Sequence, residues 1–88
     1  MFSEKDLVFR DDRIFYEREG KVLAEIDFED IGENRMNIGH VFVDESLRGN
    51  GVGNVLVEKA VKYIKDKGYV VQATCPFARK YLQENNCE

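Results

Sequence analysis

From position 22 onward the chain alternates strictly, with Val22, Ala24, Ile26 and Phe28 on one parity and Leu23, Glu25, Asp27 and Glu29, mostly polar, on the other. A period of two describes an antiparallel strand with one dry and one wet face. Two shorter β-rich runs precede it, Leu7 to Arg10 and Arg13 to Arg18, and Glu19-Gly20 punctuates the join. Beyond a turn at Gly32-Glu33-Asn34, the run from Met36 to Val43 is apolar on both parities. That pattern predicts a central strand covered on both sides, with Met36, Ile38, His40 and Phe42 sharing one face.

The period then changes. Val52, Leu56, Ala60, Val61 and Ile64 recur at helical spacing, with Glu58, Lys59, Lys62, Lys65 and Asp66 mainly on the other side, so a helix is expected from Val52 to Lys67, stopped by Gly68. Tyr69 to Thr74 reads as another strand. The intervening helix lets it lie parallel to the 36–43 strand through a right-handed crossover. Cys75-Pro76 opens a last helix reaching about Glu84, with Pro76 at the first helical position and Cys75 at or beside the N-cap. Together these elements predict an α+β domain: antiparallel strands leading into a β-loop-α-β unit and a short C-terminal helix.

The chain has 88 residues, room for one domain spanning 1–88 with a modest core. No repeat or linker divides it. A hydrophobic share of 43% and a charged share of 34% fit an ordinary soluble protein. No apolar run is long enough to cross a bilayer and no signal pattern follows Met1, so a cytoplasmic location without a membrane partner is expected. Of the two cysteines, Cys75 falls in a structured segment and Cys87 at the terminus, and both are read as reduced thiols.

Net charge is −4, and without an aromatic-basic stripe the composition argues against nucleic-acid binding. Residues 1–47 hold 6 Lys/Arg against 13 Asp/Glu, whereas residues 48–88 hold 7 against 4. Such asymmetry suits a polyanionic ligand at one end and a cationic amine at the other, and is equally what solvated faces look like. No metal-ligand grouping stands out.

Between the apolar strand and the helix lies Arg48-Gly49-Asn50-Gly51-Val52-Gly53. Glycines allow positive φ and close backbone approach, and the unpaired amides and dipole of the following helix favour an anion, so this placement fits a phosphate cradle. A tight strand-to-helix turn would use the same glycines. A P-loop is excluded because Gly53-Asn54-Val55 stands where Gly-Lys-Ser/Thr is needed, and a Rossmann fingerprint would require one more residue before the last glycine.

What remains, Arg-x-x-Gly-x-Gly preceded by Val43-Asp44-Glu45-Ser46-Leu47, resembles the acetyl-CoA-binding motif of the GNAT acetyltransferase superfamily. The resemblance covers about Ile38 to Leu82. Chain length, Ile38-Gly39-His40 and Cys75-Pro76-Phe77-Ala78 look most like the minimal, single-domain branch of that superfamily. It implies the acyl-CoA N-acyltransferase-like fold and acetyl-CoA as cosubstrate. Backbone groups of Phe42 and Val43 would then bond the pantetheine arm, and amides from Arg48 through Gly49, Asn50, Gly51, Val52, Gly53 and Asn54 would cradle the pyrophosphate.

Two residues are candidates for chemistry. A thiol at a helix N-terminus is favoured as thiolate by the dipole and nearby amides, so Cys75 is read as a nucleophile, a cofactor contact or a packing residue. It stands where larger GNAT enzymes often carry an asparagine, in a register fixed by Ala78. His40, the only histidine, is either a general base or a hydrogen-bonded core residue; Asp44, Glu45 and Glu25 are other candidate bases. The larger enzymes' acid tyrosine falls four residues after that alanine, where this chain has Leu82; Tyr81 is off by one, about 100 degrees around the helix. Arg79 and Lys80 read as solvated charges. By the same resemblance, the strand pair that completes the acceptor site in the larger enzymes would fall beyond Glu88, so an open acceptor groove is expected.

The leading expectation is an N-acetyltransferase acting on an unidentified amine, directly or through Cys75, as a monomer or weak homodimer. A non-catalytic acyl-CoA sensor or carrier follows if the missing tyrosine decides. A structural interaction domain follows if the glycines serve only the turn.

Overall fold

The alternating segment forms the middle of the longest strand in a computed structural model that describes residues 2–85. Strands β1 (Val8–Phe9), β2 (Arg13–Arg18), β3 (Lys21–Gly32), β4 (Arg35–Val43) and β5 (Val70–Ala73) form one sheet in that order. Helix α1 (Val52–Asp66) connects β4 to β5, and α2 (Pro76–Glu84) follows β5. Only the β4–β5 pairing is parallel. This is the α+β layout that the periodicities imply. Cys87 lies outside the described residues, and among the described residues no helix is long and apolar enough to cross a membrane.

Two-residue turns close both long hairpins. Glu19 and Gly20 have φ of 51° and 79°, and Glu33 and Asn34 have 55° and 62°. Positive φ at both central positions matches the right-handed twist of the flanking strands. Asn34 Nδ2 donates to Gly68 O at 2.6 Å, tying the second turn to the end of α1.

One face of the sheet carries the core. Ile14, Tyr16, Ala24, Ile26, Phe28 and Ile38 join Leu56, Ala60 and Ile64 of α1 and Ala78 and Leu82 of α2 in a single buried cluster. The apolar stripe read along 52–64 is therefore what α1 buries. The opposite face is largely open, and Phe15 is covered there by the guanidinium groups of Arg13 and Arg10, whose carbons sit 4.4 and 5.7 Å from its ring centre.

Strand β4 departs from its expected pattern. Asp27 pairs with His40 but Phe28 pairs with Ile38, so Gly39 is an extra residue bulged out of β4. Facing residues of an antiparallel pair share a side. Met36 and Ile38 are buried, but beyond the bulge Val41 and Val43 take the core side opposite Ile26 and Ala24. His40 and Phe42 turn to the open side with Asp27 and Glu25. The expected grouping of Met36, Ile38, His40 and Phe42 is thus split in two. Nor is β4 covered on both sides, since Gly39 and His40 are exposed.

Candidate functional site

Where β4 and β5 part, the sheet opens into a fork. Their pairing ends at Ile38 and Ala73, and the amides of Thr74 and Cys75 both turn back onto Ile38 O, at 3.1 and 3.3 Å. From Gly39 to Val43, β4 continues with only β3 beside it. The Asp44 amide donates to Leu23 O, which makes Asp44 and Leu23 a hydrogen-bonded pair. By alternation, Phe42 directs its backbone groups towards β3, and Val41 and Val43 direct theirs to the open edge. Val41 and Val43, and not Phe42, therefore present backbone groups at the open edge.

The loop that follows is held by its own side chains. Asp44 accepts from the Ser46 amide and hydroxyl at 3.0 and 2.7 Å, and these bonds hold its carboxyl below the usual range. Arg48 Nε donates to Val43 O at 3.2 Å, and Asn50 Nδ2 donates to Leu47 O at 3.2 Å. These bonds explain Arg48 and Asn50 without a ligand. Gly51 is the N-cap of α1, with φ 72° and no side-chain cap, and Gly49 has φ 87°. An N-cap in the left-handed region favours glycine on steric grounds. The Val55 amide makes a 3.1 Å bond to Gly51 O at the start of α1, which leaves Val52, Gly53 and Asn54 amides without intrahelical acceptors. A cavity of about 390 Å³ spans Val41, Val43, Arg48, this turn of α1 and Phe77.

A second cavity, of about 800 Å³, occupies the open face. Its walls include Asp12, Glu25, Asp27, Glu29, Asn37, Gly39 and His40. Glu25 is engaged by Arg13, which removes it as a free base. Partial burial, and then the neighbouring Glu25, push the Asp27 carboxyl above its usual range, against a smaller pull from His40 and Arg13. Asn37 is buried, donating to Thr74 Oγ1 at 3.1 Å and accepting from Gln72 at 3.4 Å. The two cavities lie on opposite sides of β4 and adjoin at positions 39–41.

His40 and Cys75 flank this fork from different sides. His40 faces the open cavity, whereas Cys75 is the N-cap of α2 and packs partly against the core cluster. No hydrogen bond joins them among the described residues. Asp44 is committed to the loop, and Glu45 is exposed at the start of the 3-10 turn Glu45–Leu47. Leu82 belongs to the core, and Tyr81 packs partly against it. Arg79 bonds Ala73 O through Nε at 3.3 Å, so it does more than solvate its helix.

The residues at these cavities that escaped the sequence reading include Val41, Asp27 and Phe77. The bulge hid Val41, and Asp27 looked like any residue of a wet strand. Phe77 had a legible signal, an aromatic beside Pro76 but off the Ala78/Leu82 face.

The sheet forked beside a glycine-capped helix defines a class of fold. Among solved structures, a GCN5-like protein of Staphylococcus aureus matches with TM-score 0.76 and 27% identity, covering 97% of this chain and 84% of that one. An IAA acetyltransferase from Bacillus cereus shares the fold at TM-score 0.65 and 20% identity, over 83% of this chain and 52% of that one. The sequence model of the GCN5-related N-acetyl-transferase family matches residues 13–88, and the chain belongs to that family. Protein NATD1 of Gallus gallus is 26% identical over 58 residues, 66% of this chain, which spans about half (53%) of that relative's length.

Proposed function

We propose that this protein binds acetyl-CoA and transfers the acetyl group to an amine that enters from the open, acidic face. The observation that carries this reading is the fork. An open strand edge at Val41 and Val43 leads to the uncapped amides of α1, so one slot offers amide partners along its length and an anion cradle at its end. These residues fit CoA: the edge suits the amide-bearing pantetheine arm, and the amides of Val52, Gly53 and Asn54, with Arg48 nearby, suit the pyrophosphate. The bound thioester would supply an activated acetyl carbonyl.

The chain's own contribution is placement and proton transfer. Asp12, Asp27 and Glu29 make the open face attractive to a cationic acceptor. His40, opposite Asp27 on the open face, takes a proton from the amine. The position of Cys75 at the N-terminus of α2, beside Ile38, supports a second route: its thiolate attacks the thioester carbonyl, CoA leaves as thiolate, and the amine then displaces Cys75.

Calorimetry and intact mass after incubation with acetyl-CoA test the proposal. Saturable binding lost in Gly51→Glu, followed by acetylation of an added polyamine or lysine peptide, is the expected outcome. One acetyl on Cys75 selects the two-step route, and an unmodified but active protein selects direct transfer. Binding with no acceptor turned over would make the protein an acyl-CoA sensor, and no binding would refute the reading.

A further inference from the structure

We infer that Phe77 is a positioning residue for the arm of the bound cosubstrate, its ring forming the wall of the slot opposite Val41 and Val43. The inference rests on the acetyl-CoA reading above and adds a residue to it. Helix α2 buries Ala78 and Leu82, four residues apart, yet Phe77 beside them stays 45% exposed. The core does not hold this ring. It lies across the first turn of α1 instead, where a Cβ on Gly53 would stand 2.9 Å from Phe77 Cζ and 3.1 Å from Cε2.

Gly53 supplies an independent observation. It is helical and does not have positive φ, so backbone conformation does not demand a glycine there. Glycine inside a helix costs about 1 kcal/mol relative to alanine. The ring accounts for it: a side chain at 53 would have to displace Phe77 from its place on α1. Gly49 and Gly51 differ, having positive φ and open space around the missing side chain.

The cavity that these residues line is mixed in character. Val41, Val43, Leu47, Val52 and Phe77 supply apolar side chains, and Arg48 with the loop amides supplies polar groups. A ligand with an uncharged, narrow arm and an anionic end matches that mixture. Phe77 then acts on the arm and not on the phosphates, burying a ring face that water now covers.

The test compares Phe77→Ala and Phe77→Leu with wild type, by calorimetry, against CoA and against adenosine 3′-phosphate 5′-diphosphate, which keeps the phosphate end but has no arm. Loss of an aromatic contact of this kind predicts CoA binding weaker by about tenfold or more in Phe77→Ala, partial recovery in Phe77→Leu, and unchanged binding of the armless nucleotide. The Gly53→Ala exchange provides a second measurement: it raises the melting temperature more in the Phe77→Ala background than with Phe77 present, and equal shifts in the two backgrounds would show that the ring does not rest on this turn. Equal CoA affinity in wild type and Phe77→Ala, or equal loss of both ligands, would overturn the inference. A wild-type protein that binds neither ligand would overturn the acetyl-CoA reading and this inference with it.

Discussion

Asp27 shows how one carboxylate records the character of the open face. Its carboxyl sits above the usual range because burial and Glu25 together outweigh the attraction of His40 and Arg13. The folded chain therefore holds this proton more tightly than the unfolded chain does, and the penalty of ionising Asp27 is present above its folded pKa and relieved below the unfolded one. Asp27→Asn should accordingly melt at a higher temperature than wild type at pH 7, with the difference shrinking as pH falls through the carboxylate range. Thermal denaturation across that range checks the sign, and a variant less stable at neutral pH would contradict it. Asp44 has the opposite linkage: its bonds from Ser46 stabilise the fold above the carboxylate range and fade on acidification. The alternation of β3 showed that Asp27 was wet, but nothing local distinguishes it from Glu29. Its surroundings come from residues 10–13 and 37–40, brought together only by the sheet.

At the level of elements, the helices and the parallel crossover could be read from the chain because each signal was local: a 3.6-residue stripe, a stop at Gly68, a proline after Cys75. Helix α1 supplies a large share of the core, since Leu56, Val57, Ala60 and Ile64 are all fully buried. Leu56→Ala should cost about 2–5 kcal/mol, a large part of the roughly 5–15 kcal/mol that holds a small domain together. Urea denaturation followed by circular dichroism measures it, and a loss under about 1 kcal/mol would mean that the site collapses around the missing side chain. The phase of β4 was not legible. A bulge leaves no mark in apolar composition, because Val41, Phe42 and Val43 suit either face. Only pairing with the unambiguous alternation of β3 reveals which of them the core takes.

Across the whole molecule, the charge split of the sequence becomes a division of space. The acidic first half supplies the carboxylates of the open cavity, while the basic second half carries the glycine loop and both helices. The proposed site thus lies between two faces of opposite character, joined where β4 and β5 part. Occupation of that gap should also hold the fold together, since any ligand of the native state alone stabilises it by mass action, about 2.7 kcal/mol at a hundredfold excess over Kd. For a domain of this size that corresponds to a rise of roughly 10 °C or more in Tm. Differential scanning fluorimetry with CoA should show a shift that grows with the logarithm of concentration, and a Tm indifferent to CoA would count against the slot being its site.

The bulge at Gly39 gives the strand something like a reading frame. A substitution there is gentle, since a Cβ would meet Asn37 and Thr74 only at ordinary contact distances of 3.7 and 4.0 Å. An insertion is another matter. One more residue between Gly39 and His40 would bring the histidine inward, turn two valines out to water and hand the strand's free hydrogen-bonding edge to the wrong residues, whereas losing Gly39 itself leaves His40 and Val41 opposite Asp27 and Ile26. Evolution can therefore respell this segment, or lose its extra residue, far more readily than it can lengthen it.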